Sequence, residues 1–219
     1  MTKEEYYGRL CSDIFPHKPE IIGGMPRDAH SYYLAHRPRF DAHIDIWNQF
    51  LDSENIELVY DLGTSVPFTS YYFNVTKGAE VVYGMLETSP MRVNEKVYPI
   101  TINLCKEHGA FRKADLVICT ECLEHLPCNL YKVREFLKSI IRPGGFMLLS
   151  FPCGGQNAMG YWRDNLENYD KVCDHLREFT ITSAAEFYYG TGWDVLKEVG
   201  TFQEAYQATI MNVLLKKPA

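Results

Sequence analysis

The sequence has no run of Lys or Arg longer than two residues and carries a formal net charge of -6 over 219 residues. That balance disfavours a broad electrostatic grip on nucleic acid and suits a small or neutral ligand. No N-terminal apolar segment has the form of a signal peptide or membrane span, and no internal repeat or linker is visible. The seven cysteines are an odd number with no evident disulfide framework. Cys119-Thr-Glu-Cys122 has the spacing of half a zinc site, but Cys128 and Cys153 do not supply a second pair, so buried or loop cysteines are expected. These absences point to a reducing cytoplasm. A Gly-x-Gly-x-x-Gly fingerprint is also missing, which argues against a nicotinamide dehydrogenase.

What the chain does have is enough apolar residue, 46%, for the core of one domain. Leu58-Val-Tyr60 is a short apolar run ending in Asp61, then Gly63 and a segment with Ser65 placed to cap a helix and Pro67 near its first turn. The pattern predicts strand, tight turn and a helix over 67–77 stopped by Gly78. Further strands are expected from Glu80 to just before Glu87, at Val97 to Leu104 with Pro99 suited to an edge, at Asp115 to Thr120 and at Phe146 to Phe151. Trp193 to Val199 and Ala208 to Lys216 read as an antiparallel pair closing the sheet. Helices are expected at Asp41 to Leu51, from about Asn129 to the Arg142-Pro-Gly-Gly stop, and around Ser183 to Tyr189. Residues 1–40 read as a covering segment with one short helix, and 41–219 as the main domain.

Four stretches in this order, 58–73, 80–90, 114–126 and 141–152, resemble the class I S-adenosylmethionine-dependent methyltransferases. The resemblance implies an α/β, Rossmann-like sandwich whose seven-stranded, mostly parallel sheet ends in a C-terminal antiparallel pair. It also implies S-adenosylmethionine as cofactor. Glu87, just past the second strand with Thr88, suits the ribose diol, because an ionised carboxylate accepts two hydrogen bonds. Gly63, with Thr64 and Ser65, would face the amino-acid end, Asp61 would orient the turn or the bound head, and Asn103 and Leu104 would lie beside adenine. Each has an ordinary alternative: Glu87 as a helix cap, Asp61 satisfying turn amides, Asn103 ending a strand. Ser65 stands where the family usually has a second glycine. A methyltransferase-like binding protein without catalysis therefore stays open.

Glu121-Cys-Leu-Glu124-His125 follows the fourth strand, and a helical turn there would put the three ionisable groups on one face. The pattern is similar to quinone-biosynthesis O-methyltransferases and to small-RNA 3′-terminal 2′-O-methyltransferases, which hold a divalent metal with such residues and a downstream histidine; His175 stands in a comparable place here. Two mechanisms follow. Either His125 is the general base for an attacking hydroxyl, with Glu121 beside it, or Glu121, Glu124, His125 and His175 hold Mg²⁺ or Mn²⁺. By the resemblance the N-terminal segment covers the site, making Tyr32, Tyr33, His36 and Arg37 candidate substrate contacts, with aromatic packing of the segment onto the domain as the commoner role for the tyrosines. Tyr161, Trp162 and Arg163, in the long connection after the fifth strand, are others. The expected reaction is O-methylation of a small molecule or sugar, with a metal-dependent RNA 2′-O-methyltransferase as the alternative.

Overall fold

In the computed structural model, residues 1–17, 29–85, 92–106, 109–154, 177, 179–203 and 208–219 are described. The strands are β1 (Leu58–Leu62), β2 (Glu80–Met85), β3 (Val97–Thr101), β4 (Ala114–Thr120), β5 (Ile141–Gly154), β6 (Asp194–Gln203) and β7 (Ala208–Lys216). They form one sheet in the order β3-β2-β1-β4-β5-β7-β6. The first five run parallel, and β7 lies antiparallel between β5 and β6. Every residue of β1 is buried, as a central parallel strand covered on both faces requires. After β1 the chain steps outward to β2 and β3 and then returns to β4 on the other side. The carboxyl ends of β1 and β4 therefore flank the switch point, where connections diverge and open sheets bind ligands.

The helices are α1 (Lys3–Arg9), α2 (Ala29–Ala35), α3 (Arg37–Phe50), α4 (Tyr71–Lys77), α5 (Leu130–Ser139) and α6 (Ile181–Tyr189). Thr2 and Glu5 form a capping box on α1, and Thr180 with Ser183 does the same for α6. Two cores result. Trp47 of α3 and Phe73 of α4 pack with Val59, Leu116 and Phe146 on one sheet face. Val133 and Leu137 of α5 and Phe187 of α6 pack with Tyr60, Val117 and Leu149 on the other. Tyr6, Leu10, Ile14 and Tyr33 from the first forty residues belong to the first core. No helix among the described residues is long and apolar enough to cross a membrane.

Several boundaries differ from expectation for local reasons. Helix α3 starts at Arg37 rather than Asp41, because Pro38 in its first turn is pre-set for helix. Helix α4 starts at Tyr71 rather than Pro67, so neither Pro67 nor Ser65 opens it; its end at Gly78 (φ 66°) is as expected. Strand β5 begins at Ile141. Ala114 pairs with Ile141 and Leu116 with Phe146, so Arg142-Pro-Gly-Gly is an irregularity within the strand instead of a stop before it. Strand β3 ends at Thr101, three residues early, and lies at the sheet edge, where Pro99 is tolerated. Cys105 and Cys128 form a disulfide, overturning the expectation of unpaired cysteines and tying the segment after β3 to the segment before α5.

Candidate active site

The exit of β1 is built around Asp61, which is 2% exposed and accepts a hydrogen bond from Ser70 Oγ at 2.7 Å. Ser70 is the N-cap residue of α4, and its hydroxyl serves Asp61 instead of capping that helix. Burial pushes the Asp61 carboxyl up to about 7, against the downward pull of the Ser70 hydrogen bonds and the Arg39 charge. Gly63 follows at φ 94°, and a Cβ there would run into the Cys122 side chain. The loops after β1 and β4 therefore touch at a point where only glycine fits. Thr64 Oγ1 donates to the Val66 carbonyl at 2.7 Å, and Gly63, Thr64 and Ser65 remain half-buried after β1.

The exit of β4 is less regular than a helical turn. Glu121 is the one described non-glycine residue with positive φ, at 49°, a conformation that costs a bulky residue about 1 kcal/mol or more. Two hydrogen bonds to Ser150 hold it there: its N–H donates to Ser150 Oγ at 3.0 Å, and that hydroxyl donates to Glu121 Oε1 at 2.8 Å. Its other oxygen lies 3.4 Å from Arg39 Nη1. Leu123–His125 then forms a single 3-10 turn, with Glu124 buried and Glu124 Oε1 3.5 Å from His125 Nε2. Burial, reinforced by the Glu121 charge, drives the Glu124 carboxyl well above the usual range, and burial raises Glu121 as well. The His125 side chain is 31% exposed, so this imidazole can meet a ligand.

Arg39 and His43 enter this site from α3, and the sequence reading missed both. Arg39 is 3% exposed, and His43 is fully buried. The Asn212 amide donates to the carbonyls of Val199 and Ile210, which fixes its Oδ1 as an acceptor for His43 Nε2–H at 2.8 Å. Burial and the Arg39 charge push the His43 imidazole down to about 3. The available signal was spacing: Arg39, His43 and Trp47 fall at intervals of four, so two polar groups continue the buried stripe that Trp47 marks.

Other expected site residues are distributed as follows. Asn103 is half-buried after β3, its Oδ1 accepting the Cys105 N–H at 3.0 Å, and Leu104 beside it is buried. Tyr32 stacks on His36 at 4.2 Å between ring centroids, and Tyr33 stacks on Phe40 at 5.0 Å, fully buried. Arg37 lies outside this cluster, 3.5 Å from Asp41 and partly exposed. Glu87, Thr88, Tyr161, Trp162, Arg163 and His175 lie outside the described residues. Among the described residues no three His, Cys, Asp or Glu side chains gather as metal ligands, and Glu121 already serves Ser150 and Arg39. Cys119 and Cys122 are buried and hydrogen-bonded to each other, which raises the Cys119 thiol well above its ordinary value.

No family model and no curated protein matches the chain. Solved structures do share its architecture. The 1,6-didemethyltoxoflavin-N1-methyltransferase of Burkholderia thailandensis, with 1,6-didemethyltoxoflavin and S-adenosylhomocysteine bound, is 16% identical with a TM-score of 0.64, over 100% of this chain and 92% of that one. The N-methyltransferase NodS of Bradyrhizobium japonicum WM9, in complex with S-adenosylhomocysteine, is 12% identical with a TM-score of 0.59, over 82% and 88%. An S-adenosylmethionine-dependent methyltransferase of Mesorhizobium loti is 12% identical with a TM-score of 0.60, over 84% and 98%. The chain thus has the Rossmann-like fold of S-adenosylmethionine-dependent methyltransferases, its seven-stranded sheet closed by an antiparallel C-terminal pair.

Proposed function

We propose that the protein is an enzyme that transfers a methyl group from S-adenosylmethionine to a hydroxyl of a small molecule or sugar. The observation that carries this reading is the junction of β1 and β4 at the switch point, where Gly63 meets Cys122 between buried Asp61 and the half-exposed His125. The residues present fit the cofactor's amino-acid end. Asp61 and Ser70 brace the turn, and the half-buried residues Gly63, Thr64 and Ser65 follow it, with no side chain at Gly63, where the chain meets Cys122. Asn103, with its Oδ1 engaged by Cys105, has its amide N–H groups to offer an adenine ring nitrogen. Glu87 and Thr88 are assigned to the ribose from the sequence alone.

When bound, the cofactor supplies an electrophilic methyl group on a sulfonium. The chain's part is to align an acceptor oxygen with that methyl and to take the oxygen's proton. His125 is the base: its ring is accessible, and the Glu124 carboxyl lies beside it at 3.5 Å. Glu121, committed to Ser150 and Arg39, shapes the turn that presents His125. The net charge of -6 supports a small acceptor over a nucleic acid.

The test is calorimetric titration of the protein with S-adenosylhomocysteine, followed by S-adenosylhomocysteine release from S-adenosylmethionine across a panel of hydroxylated acceptors. One-site binding and acceptor-dependent release are expected. A folded protein that binds no S-adenosylhomocysteine would overturn the reading in favour of a non-catalytic relative.

A further inference from the structure

We propose that Arg39 selects the methyl acceptor by pairing with an oxyanion that the acceptor carries; this rests on the methyltransferase reading above. The Arg39 guanidinium is 3% exposed, and its Nε and Nη1 have no hydrogen-bond acceptor among the described residues. Glu121 Oε2 lies 3.4 Å from Nη1, beyond the ~2.7–2.9 Å of a charge-assisted hydrogen bond. The guanidinium sits against the Phe40 ring, 4.8 Å from its centroid, which fixes its plane without using a donor. The guanidinium also hydrogen-bonds Tyr32, so the unused donors are those on Nε and Nη1, and buried guanidinium donors without acceptors suit an anionic oxygen, carboxylate or phosphate.

Its place in the sheet says which ligand that oxygen belongs to. The residues assigned to the cofactor follow β1, β2 and β3. Arg39 is anchored on the other half, although its charge also reaches Asp61 at the end of β1. It faces Glu121 after β4, Glu121 is bonded to Ser150 of β5, and Ser150 pairs in register with Asn212 of β7. Asn212 holds His43, one turn along α3 from Arg39. The oxyanion is therefore the acceptor's, and the substrate class narrows to hydroxylated carboxylates or phosphate esters.

The experiment uses the full chain saturated with S-adenosylhomocysteine and titrates it with benzoate, phenyl phosphate and benzamide. Benzoate or phenyl phosphate should bind at least tenfold more tightly than benzamide, the tighter of the two anions identifying the oxyanion. Arg39→Gln should erase the preference while S-adenosylhomocysteine affinity stays within twofold, and Arg39→Lys, which keeps charge without the planar fork, should retain part of it. Equal binding of anions and amide to the wild type, or no anion binding, overturns the proposal; this arm stands even where Arg39→Gln does not fold. A tenfold loss of S-adenosylhomocysteine affinity in folded Arg39→Gln also overturns it, by placing Arg39 on the cofactor. Failure of the wild type to bind S-adenosylhomocysteine at all sinks the methyltransferase reading instead.

Discussion

Glu121 and Ser150 exchange two hydrogen bonds between the carboxyl end of β4 and the adjacent part of β5, and this exchange holds Glu121 in a left-handed conformation. The pair decides where the turn carrying Glu124 and His125 begins. Ser150→Ala should lower stability by about 1 kcal/mol, because it leaves a partly buried N–H and carboxyl oxygen without their partner. Glu121→Gly should be worse despite relieving the backbone. Freeing the left-handed residue returns about 1 kcal/mol, whereas leaving the buried Arg39 charge uncompensated costs about 3–5. Urea unfolding midpoints of the two variants would rank them, and a Glu121→Gly protein more stable than Ser150→Ala contradicts the argument.

Asp61 and His43 titrate in opposing senses. The Asp61 carboxyl is raised from 3.8 to about 7, so between those values the folded state holds a proton that the unfolded chain has lost, and stability falls as pH rises. The His43 imidazole is lowered from 6.5 to about 3, so over that range the unfolded chain holds the extra proton, and stability rises with pH. In the wild type the two slopes offset one another between roughly pH 4 and 6.5. Relative to wild type, Asp61→Asn should gain stability as pH increases through that window, and His43→Gln should lose it. Denaturant midpoints at half-unit pH steps provide the measurement; parallel profiles for all three proteins would refute the assignment.

The central strands were legible because they are short apolar runs closed by a polar residue or a glycine, as at Leu58–Leu62 and Ala114–Thr120. Asp61 and Gly63 were legible for the same reason, being the punctuation after β1. Arg39 was hidden because its value depends on Glu121, 82 positions away in sequence, and no local pattern encodes that meeting. The start of α4 was misread because Ser65 and Pro67 look like helix openers, while the chain uses residues 64–70 to carry Ser70 back to Asp61. The turn at Glu121 defied the helical reading because a tertiary contact to Ser150 overrides local preference there.

The disulfide between Cys105 and Cys128 closes a loop with a sequence separation of 23, and it links the segment beside Asn103 to the one after His125. On loop entropy alone such a link is worth about 3 kcal/mol. Cys105→Ser should therefore lower the unfolding free energy by about that amount, and a reducing agent should do the same to the wild type while leaving the variant unaffected. Reductant sensitivity that persists in Cys105→Ser would assign the effect elsewhere.

Gly63 combines positive φ with contact to Cys122, and the two constraints are separable. Gly63→Ala should weaken S-adenosylhomocysteine binding at least tenfold. Adding Cys122→Gly removes the collision but leaves the φ of 94°, which still costs alanine about 1–2 kcal/mol, so recovery should be partial. Full recovery would show that the collision alone matters, and no effect of Gly63→Ala would remove this loop from the cofactor site.

His125 carries the chemical step of the proposed reaction, so its replacement should separate turnover from binding. General base catalysis contributes a factor of about 10²–10⁴, and His125→Ala should lower kcat by at least the smaller figure. The side chain is partly exposed and stands at the end of a single turn, so its loss should leave the fold and S-adenosylhomocysteine affinity close to wild type. Glu124→Gln keeps the shape of its neighbour and should act through His125 beside it, reducing kcat less than His125→Ala does. The decisive pattern is therefore graded: a large loss of kcat at His125, a smaller one at Glu124, and unchanged cofactor binding at both. Parallel loss of cofactor affinity and turnover in His125→Ala would place the imidazole on the cofactor and require a different base.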